Sequence, residues 1–256
     1  MITSIQNEKV KLAKALQGAT KTRRKEGLIV LEGLRLVRDA LLSGHKPVFL
    51  LTTSDFHDAS VSGLIRAAGV EAIEVDETVM QHVSDTQQPQ GILGVFPMPK
   101  AALPNRLNHV LILDSIRDPG NLGTILRTAA AAGVDAVLLS PTCADPYNPK
   151  VLRGGMGAHF RVPVIHMEWA QIEQACEGKA VYMADGAGDT LYDEADWSND
   201  WALIIGSEAH GAGDNARQLT TTRIKISMAA DTESLNAAIA AGVILFEARK
   251  HQRTSN

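Results

Sequence analysis

Short apolar runs alternating with helix-patterned segments constrain this chain more than any other feature. LIVL (28–31), PVFLLTT (47–53), 71–75 and GILGVF (91–96) read as strands. Between them, 32–43 carries Leu34, Val37 and Leu41 at helical spacing, and 61–68 is a second helical stretch. Pro97, Pro99 and Pro104 then interrupt the pattern. Prolines so placed fit neither a helix interior nor a central strand, so 99–106 is read as a linker. Beyond it, HVLILD (109–114), DAVLLS (135–140), RVPVI (161–165), 179–184, WALIIG (201–206) and TRIKIS (222–227) continue the strands. An alanine-rich helix is expected over 121–132 and a closing helix over 232–250, where Leu235, Ala238, Ile239, Gly242 and Phe246 form a packing stripe. The alternation predicts an α/β protein of two domains, 1–98 and 107–256, with mostly parallel strands in both.

Composition closes off other classes. Of 256 residues, 45% are hydrophobic and 21% charged, enough for a packed core and against intrinsic disorder. No apolar run reaches the ~18 residues of a membrane span, and the first residues lack a signal-peptide core. Two cysteines, Cys143 and Cys176, build no disulfide framework, so a cytoplasmic protein with no membrane partner is expected. The eight histidines show no metal-ligand spacing, and no metal is expected. Charge is uneven. Residues 1–27 hold Lys9, Lys11, Lys14, Lys21, Arg23, Arg24 and Lys25 against Glu8 and Glu26, while the rest of the chain is acidic. Such an arm is either a polyanion-binding element or a solvated helix face. With only 4% aromatics, a base-stacking platform is disfavoured.

Ligands of open α/β sheets bind beyond the carboxyl ends of strands, and three strand exits carry chemistry. In DSIRDPGNLGTILRTAAAAG, Asp118 and Pro119 read as N-cap and first helical residue. Helical side chains lean toward the N-terminus, so Arg127 is expected to lie back over Gly123, near Asn121. In IIGSEAHGAG, Glu208 sits between Gly206 and Gly211, where the backbone can approach a ligand closely. In ISMAADTESLNAAIAAG, Asp231 or Thr232 is the expected cap of the closing helix, with Ser234, Leu235 and Asn236 in its first turns. RGGMGAH (153–159) does not match a dinucleotide glycine fingerprint and follows no strand.

In this order and spacing, the three segments resemble the three motifs of the SpoU (TrmH-like) family of RNA ribose 2′-O-methyltransferases, within the SPOUT class. Asp118-Pro119, Asn121, Gly123 and Arg127-Thr128-Ala129 look like the first motif; Ile205-Gly206, Glu208 and Gly211 like the second; Glu233-Ser234-Leu235-Asn236 with Ala240-Ala241-Gly242 like the third. NPKVLRGGMGAHFRVPV (148–164) is similar to the region between them, and EGLRLVRDAL (32–41) behind a basic arm is similar to the L30e-like RNA-binding domain of rRNA-modifying members. Ala209, Ser227 and Gly155 depart from the residues usual in the family.

The resemblance implies a small L30e-like domain followed by a parallel-sheet α/β domain with a C-terminal trefoil knot. It implies S-adenosylmethionine as cofactor, held by Gly206, Ser207, Gly211, Ile226, Met228, Ser234 and Leu235. Arg127, Asn121, Glu208, Ser234 and Asn236 are the implied catalytic set. A homodimer is implied, with RNA as partner: ribosomal RNA before tRNA, bound through Lys9, Lys11, Lys21, Arg23, Arg24, Lys25 and Arg35. The competing readings are a tRNA ribose methyltransferase, a non-catalytic RNA-binding protein on the same scaffold, and a nucleotide-dependent enzyme on an ordinary doubly wound sheet.

Overall fold

A computed structural model describes residues 1–208, 211–229 and 234–253. The chain divides into two compact units, Met1–Lys100 with Tyr147–Phe160, and Ala101–Pro146 with Arg161–Asn256.

The first unit opens with α1 (Glu8–Gly18), which Asn7 caps by accepting from the Lys9 N–H at 3.0 Å, and α2 (Thr20–Glu26), which ends at left-handed Gly27. There follow β1 (Leu28–Glu32), α3 (Leu34–Leu42), β2 (Phe49–Thr52), α4 (Ala59–Ala67), β3 (Ala72–Glu74), α5 (Glu77–Val83) and β4 (Ile92–Pro97). Alternating side chains of the strands feed two cores. Val30, Phe49, Leu51, Leu93 and Val95 pack with α1 and α5; Ile29, Leu31, Leu50, Ile92 and Phe96 pack with α3 and α4.

The strand order is β1-β4-β2-β3, and β4 runs antiparallel to both its neighbours; only β2 and β3 are parallel. The expectation of mostly parallel strands therefore fails in this unit. Helical crossovers were legible, but the direction in which the last strand enters between two earlier ones leaves no local mark. Leu152 also joins the second core, so the excursion 147–160 between two strands of the other sheet packs here.

The second unit comprises β5 (His109–Leu113), α6 (Pro119–Ala132), β6 (Ala136–Leu139), β7 (Val164–His166), α8 (Trp169–Ala175), β8 (Ala180–Ala184), β9 (Thr190–Leu191), β10 (Trp201–Ile205), α9 (Asp214–Leu219), β11 (Thr222–Lys225) and α10 (Ala237–Arg253). The short α7 (Pro149–Gly155) lies in the excursion. Every recorded pairing in this seven-stranded sheet is parallel, in the order β7-β6-β5-β10-β8-β11-β9. All five residues of β10 are buried, as a central strand covered on both faces requires. From β5 the chain moves to β6 on one side, and from β10 to β11 on the other. Their carboxyl ends thus flank a topological switch point, where open α/β sheets bind ligands.

The helix start at Asp118-Pro119 is as the sequence predicts: the Asp118 carboxylate accepts from the Asn121 N–H at 2.8 Å. The closing helix differs. It begins at Ala237, and Asn236 caps it by accepting from the N–H groups of Ala238 and Ile239 at 3.0 and 3.4 Å. Ser234 and Leu235 therefore precede the helix; Asp231 and Thr232, the expected caps, lie outside the described residues. No described helix is long and apolar enough to cross a membrane.

Candidate active site

The site grows from the ends of β5 and β10. Asp114, buried where β5 ends, accepts from Ser140 Oγ at 3.0 Å, Ser115 Oγ at 3.1 Å and the Gly213 N–H at 2.7 Å. One carboxylate thereby ties the exit of β5 to the end of β6 and to the loop after β10, with strong charge-assisted bonds. Ser115 then takes a left-handed backbone, φ 60°, and turns the chain toward Arg117, Asp118 and α6. After β10, the N–H and C=O groups of Ser207 and Gly211 exchange hydrogen bonds of 3.0 and 2.9 Å, closing a loop that holds out Glu208. Gly206 is crowded at its base. A Cβ there would lie 2.4 Å from the Ala212 nitrogen and the Gly211 carbonyl carbon, so only glycine fits.

Three distant stretches meet at Glu208. Its Oε1 accepts from Asn121 Nδ2 at 2.9 Å, from Asn236 Nδ2, and from the Ala237 N–H at 3.3 Å, while Asn236 Nδ2 also donates to Asn121 Oδ1 at 3.0 Å. The Glu208 carboxylate sits at the N-terminus of α10, where the helix dipole favours negative charge.

Two cavities share this loop. The larger, about 500 Å³, lies beyond the carboxyl ends of β8, β10 and β11. The smaller, about 460 Å³, lies beside the β5 exit, and Ser207, Glu208, Gly211 and Ala237 wall both. Both sizes are ordinary for small-ligand sites, roughly 300–1,000 Å³. The larger combines apolar walls (Ile205, Ile224, Leu235, Ile244) with charges of both signs (Asp185, Glu208, Arg217, Lys225). That donor set suits a zwitterionic ligand with an apolar body. Cys143 donates its S–H to the Leu113 carbonyl at 3.1 Å, and burial pushes its thiol pKa up, so it is no ready nucleophile.

Residues 108–246 match the SpoU rRNA Methylase family model, and residues 7–94 match an MRM3-like substrate binding domain. The chain belongs to the SpoU rRNA methylase family. Human mitochondrial rRNA methyltransferase 3 is 35% identical to it, covering 90% of this chain and 69% of that protein. The 23S rRNA (guanosine(2553)-2′-O)-methyltransferase RlmP of Bacillus subtilis is 34% identical over 97% of this chain and 98% of its own. The AdoMet-bound rRNA methyltransferase structure from Sinorhizobium meliloti superposes with a TM-score of 0.87 at 32% identity, covering 98% and 97% of the two chains.

In this SpoU-family chain, all seven residues expected around a cofactor, Gly206, Ser207, Gly211, Ile226, Met228, Ser234 and Leu235, line the larger cavity. Of the expected catalytic set, Asn121, Glu208 and Asn236 are bonded together and Ser234 faces the larger cavity. Arg127 is placed elsewhere. It is exposed on α6, lines neither cavity and makes no hydrogen bond or ion pair among the described residues. Six residues separate it from Asn121, ~9 Å along the helix and on a different face, so it does not join Asn121 as expected.

In the basic arm, Arg23 is 2% exposed. Its guanidinium donates to the Leu16 and Gln17 carbonyls at 2.6 and 3.3 Å, closing the C-terminus of α1, and this removes Arg23 from any RNA surface. Lys9, Lys11, Lys21, Arg24, Lys25 and Arg35 are exposed. Lys11 and Lys25 pair with Glu8 and Glu26, and Lys9 lies 5.8 Å over the Phe49 ring. Sequence reasoning missed Asp114, Asp185, Arg217 and Lys225. Asp114 and Asp185 stand directly after β5 and β8, so the strand-exit rule reaches them once strand neighbours are known.

Proposed function

We propose that this chain methylates a ribose 2′-hydroxyl of ribosomal RNA, using S-adenosylmethionine bound in the larger cavity. The observation that carries the reading is the Asn121–Glu208–Asn236 junction, which stands between two cavities sharing one wall. S-adenosylmethionine supplies a methyl group made electrophilic by its sulfonium. The protein must then place a ribose hydroxyl in line and stabilise the oxygen as its proton leaves.

Asn121 and Asn236, fixed by Glu208, orient the wall against which the sugar rests. Arg127 provides the positive charge; a guanidinium stays protonated, so it stabilises negative charge rather than acting as a base. Because Arg127 lines neither cavity of its own chain, the proposal includes a homodimer in which a second copy completes each site. The face for this is α10, where Ile239 and Phe246 are 56% and 47% exposed, beside α6, against which α10 packs. The knotted threading of the C-terminal segment and action in the cytoplasm belong to the same reading. The order of β10, β8 and β11 and the two unpaired cysteines support them.

The test is transfer of labelled methyl from S-adenosylmethionine to an unmodified 23S rRNA transcript, followed by mapping of ribose methylation. A single labelled 2′-oxygen is expected, and Arg127→Ala should lower turnover by about 10²–10³-fold with donor affinity kept. Label on tRNA but not rRNA moves the substrate assignment. RNA binding with neither cofactor affinity nor transfer to any RNA makes the chain a non-catalytic RNA binder.

A further inference from the structure

We infer that Arg117 anchors the backbone phosphate beside the nucleotide whose ribose enters the smaller cavity, an inference that rests on the methyl-transfer reading above. Arg117 lines that cavity between the exit of β5 and the start of α6, and it is the one basic residue among the described lining residues. It is exposed and makes no hydrogen bond or ion pair among the described residues.

The carboxylates around it are already engaged. Asp118 accepts from the first turn of α6, and Glu208 accepts from Asn121, Asn236 and the first turn of α10. Asp114, behind the cavity, is buried with Ser115, Ser140 and Gly213. Arg117 thus brings the one positive charge among the described lining residues, beside the Asp118 and Glu208 carboxylates, on a guanidinium that no described hydrogen bond or ion pair holds. Three other arginines of this unit are committed, Arg217 to the Ala212 carbonyl, Arg223 to Asp189 and Arg249 to the Ala131 carbonyl, and Arg127, which is not, lines neither cavity.

Substrate chemistry supplies the counterpart. A ribose inside an RNA strand arrives with a phosphodiester on either side, so a sugar seated against Asn121 and Glu208 brings an anion to the cavity mouth. Guanidinium matches a phosphate through two parallel N–H bonds, which fixes orientation as well as adding affinity. The backbone under Arg117 is held on both sides, by left-handed Ser115 and by the capped start of α6, so its reach is preset. Arg117 acts here as a substrate-binding residue: it holds the phosphate equally in the bound and reacting states and takes no part in bond making.

The experiment compares the full-length protein with Arg117→Ala and Arg117→Lys on the unmodified 23S rRNA transcript. It measures KM, kcat, donor affinity by calorimetry, and the slope of log RNA affinity against log salt. Arg117→Ala should raise KM about tenfold, the loss expected for one charge-assisted contact, while kcat and donor affinity stay near the parent's. Its salt slope should fall by about one, as for a lost phosphate contact, and Arg117→Lys should restore the slope but only part of KM. An unchanged KM with an unchanged slope overturns the inference. So does a fall in kcat at constant KM, which would put Arg117 in the reaction itself. If the parent transfers no methyl to RNA, the functional reading fails; the binding slope of the same transcript still decides whether Arg117 meets a phosphate.

Discussion

Two glutamates, one in each unit, gather hydrogen-bond donors from distant stretches of chain. Glu32, at the end of β1, accepts from Ser84 Oγ, Thr86 Oγ1, the Asp85 N–H at 2.9 Å and Gln17 Nε2 at 3.2 Å. Glu208, just past the end of β10, accepts from Asn121, Asn236 and the Ala237 N–H. The chemistry is similar, but the setting is not. Glu32 is 8% exposed, whereas Glu208 is exposed and walls two cavities. A buried carboxylate with its donors satisfied fixes a fold, because removing it leaves the buried Ser84 and Gln17 donors unpaired and away from water. An exposed one can be lost with little effect on stability, since water replaces it, so its bonds serve the alignment of loops.

The largest expected effect is on the buried side. Glu32→Ala should cost about 3 kcal/mol of unfolding free energy by chemical denaturation, from several stranded donors. A loss below about 1 kcal/mol, the range of ordinary surface substitutions, would break the contrast. Glu208→Ala should do the opposite: kcat/KM down about a hundredfold in the methylation assay, with unfolding free energy altered by less than about 1 kcal/mol. Gly206→Ala presses a methyl group into the Gly211–Ala212 backbone and should weaken S-adenosylmethionine binding about tenfold or more by calorimetry.

A smaller effect follows from titration. Burial works to raise the Glu32 pKa, but the bonds from Ser84, Thr86 and Asp85 and the nearby charge of Arg153 outweigh it, leaving it below the ordinary 4.5. A carboxyl whose folded pKa is lowered stabilises the protein fully above its unfolded value and loses that contribution as pH falls through the folded value. Unfolding free energy should therefore drop below about pH 4.5, and Glu32→Gln should flatten the drop. An equally steep acid limb in the variant would assign it to other carboxylates. The smallest effect separates two neighbours. Arg24→Ala should lower the salt slope of RNA binding by up to about one, whereas Arg23→Ala should lower stability and leave the slope alone.

Much of the site was legible because its residues follow strand ends in three recognisable segments. Asn121, Glu208 and Asn236 were all identifiable, and so were the seven residues now found around the larger cavity. What the segments do to one another was not legible. Nothing near Asn236 announces that it caps α10 and reaches Asn121, and nothing near Arg23 announces that it turns back onto α1.

By itself the sequence determined the positions of the longer strands and the helix start at Asp118-Pro119. These depend on neighbours a few residues away. Tertiary structure alone decided that β4 runs against β1 and β2, that 147–160 leaves the parallel sheet for the first unit, and that Asn236 reaches Asn121 and Glu208. The reason is physical. Local periodicity states which face of an element is apolar, whereas strand direction, strand order and the partner of a polar side chain are set by contacts between residues far apart in the chain, which no short window of sequence contains.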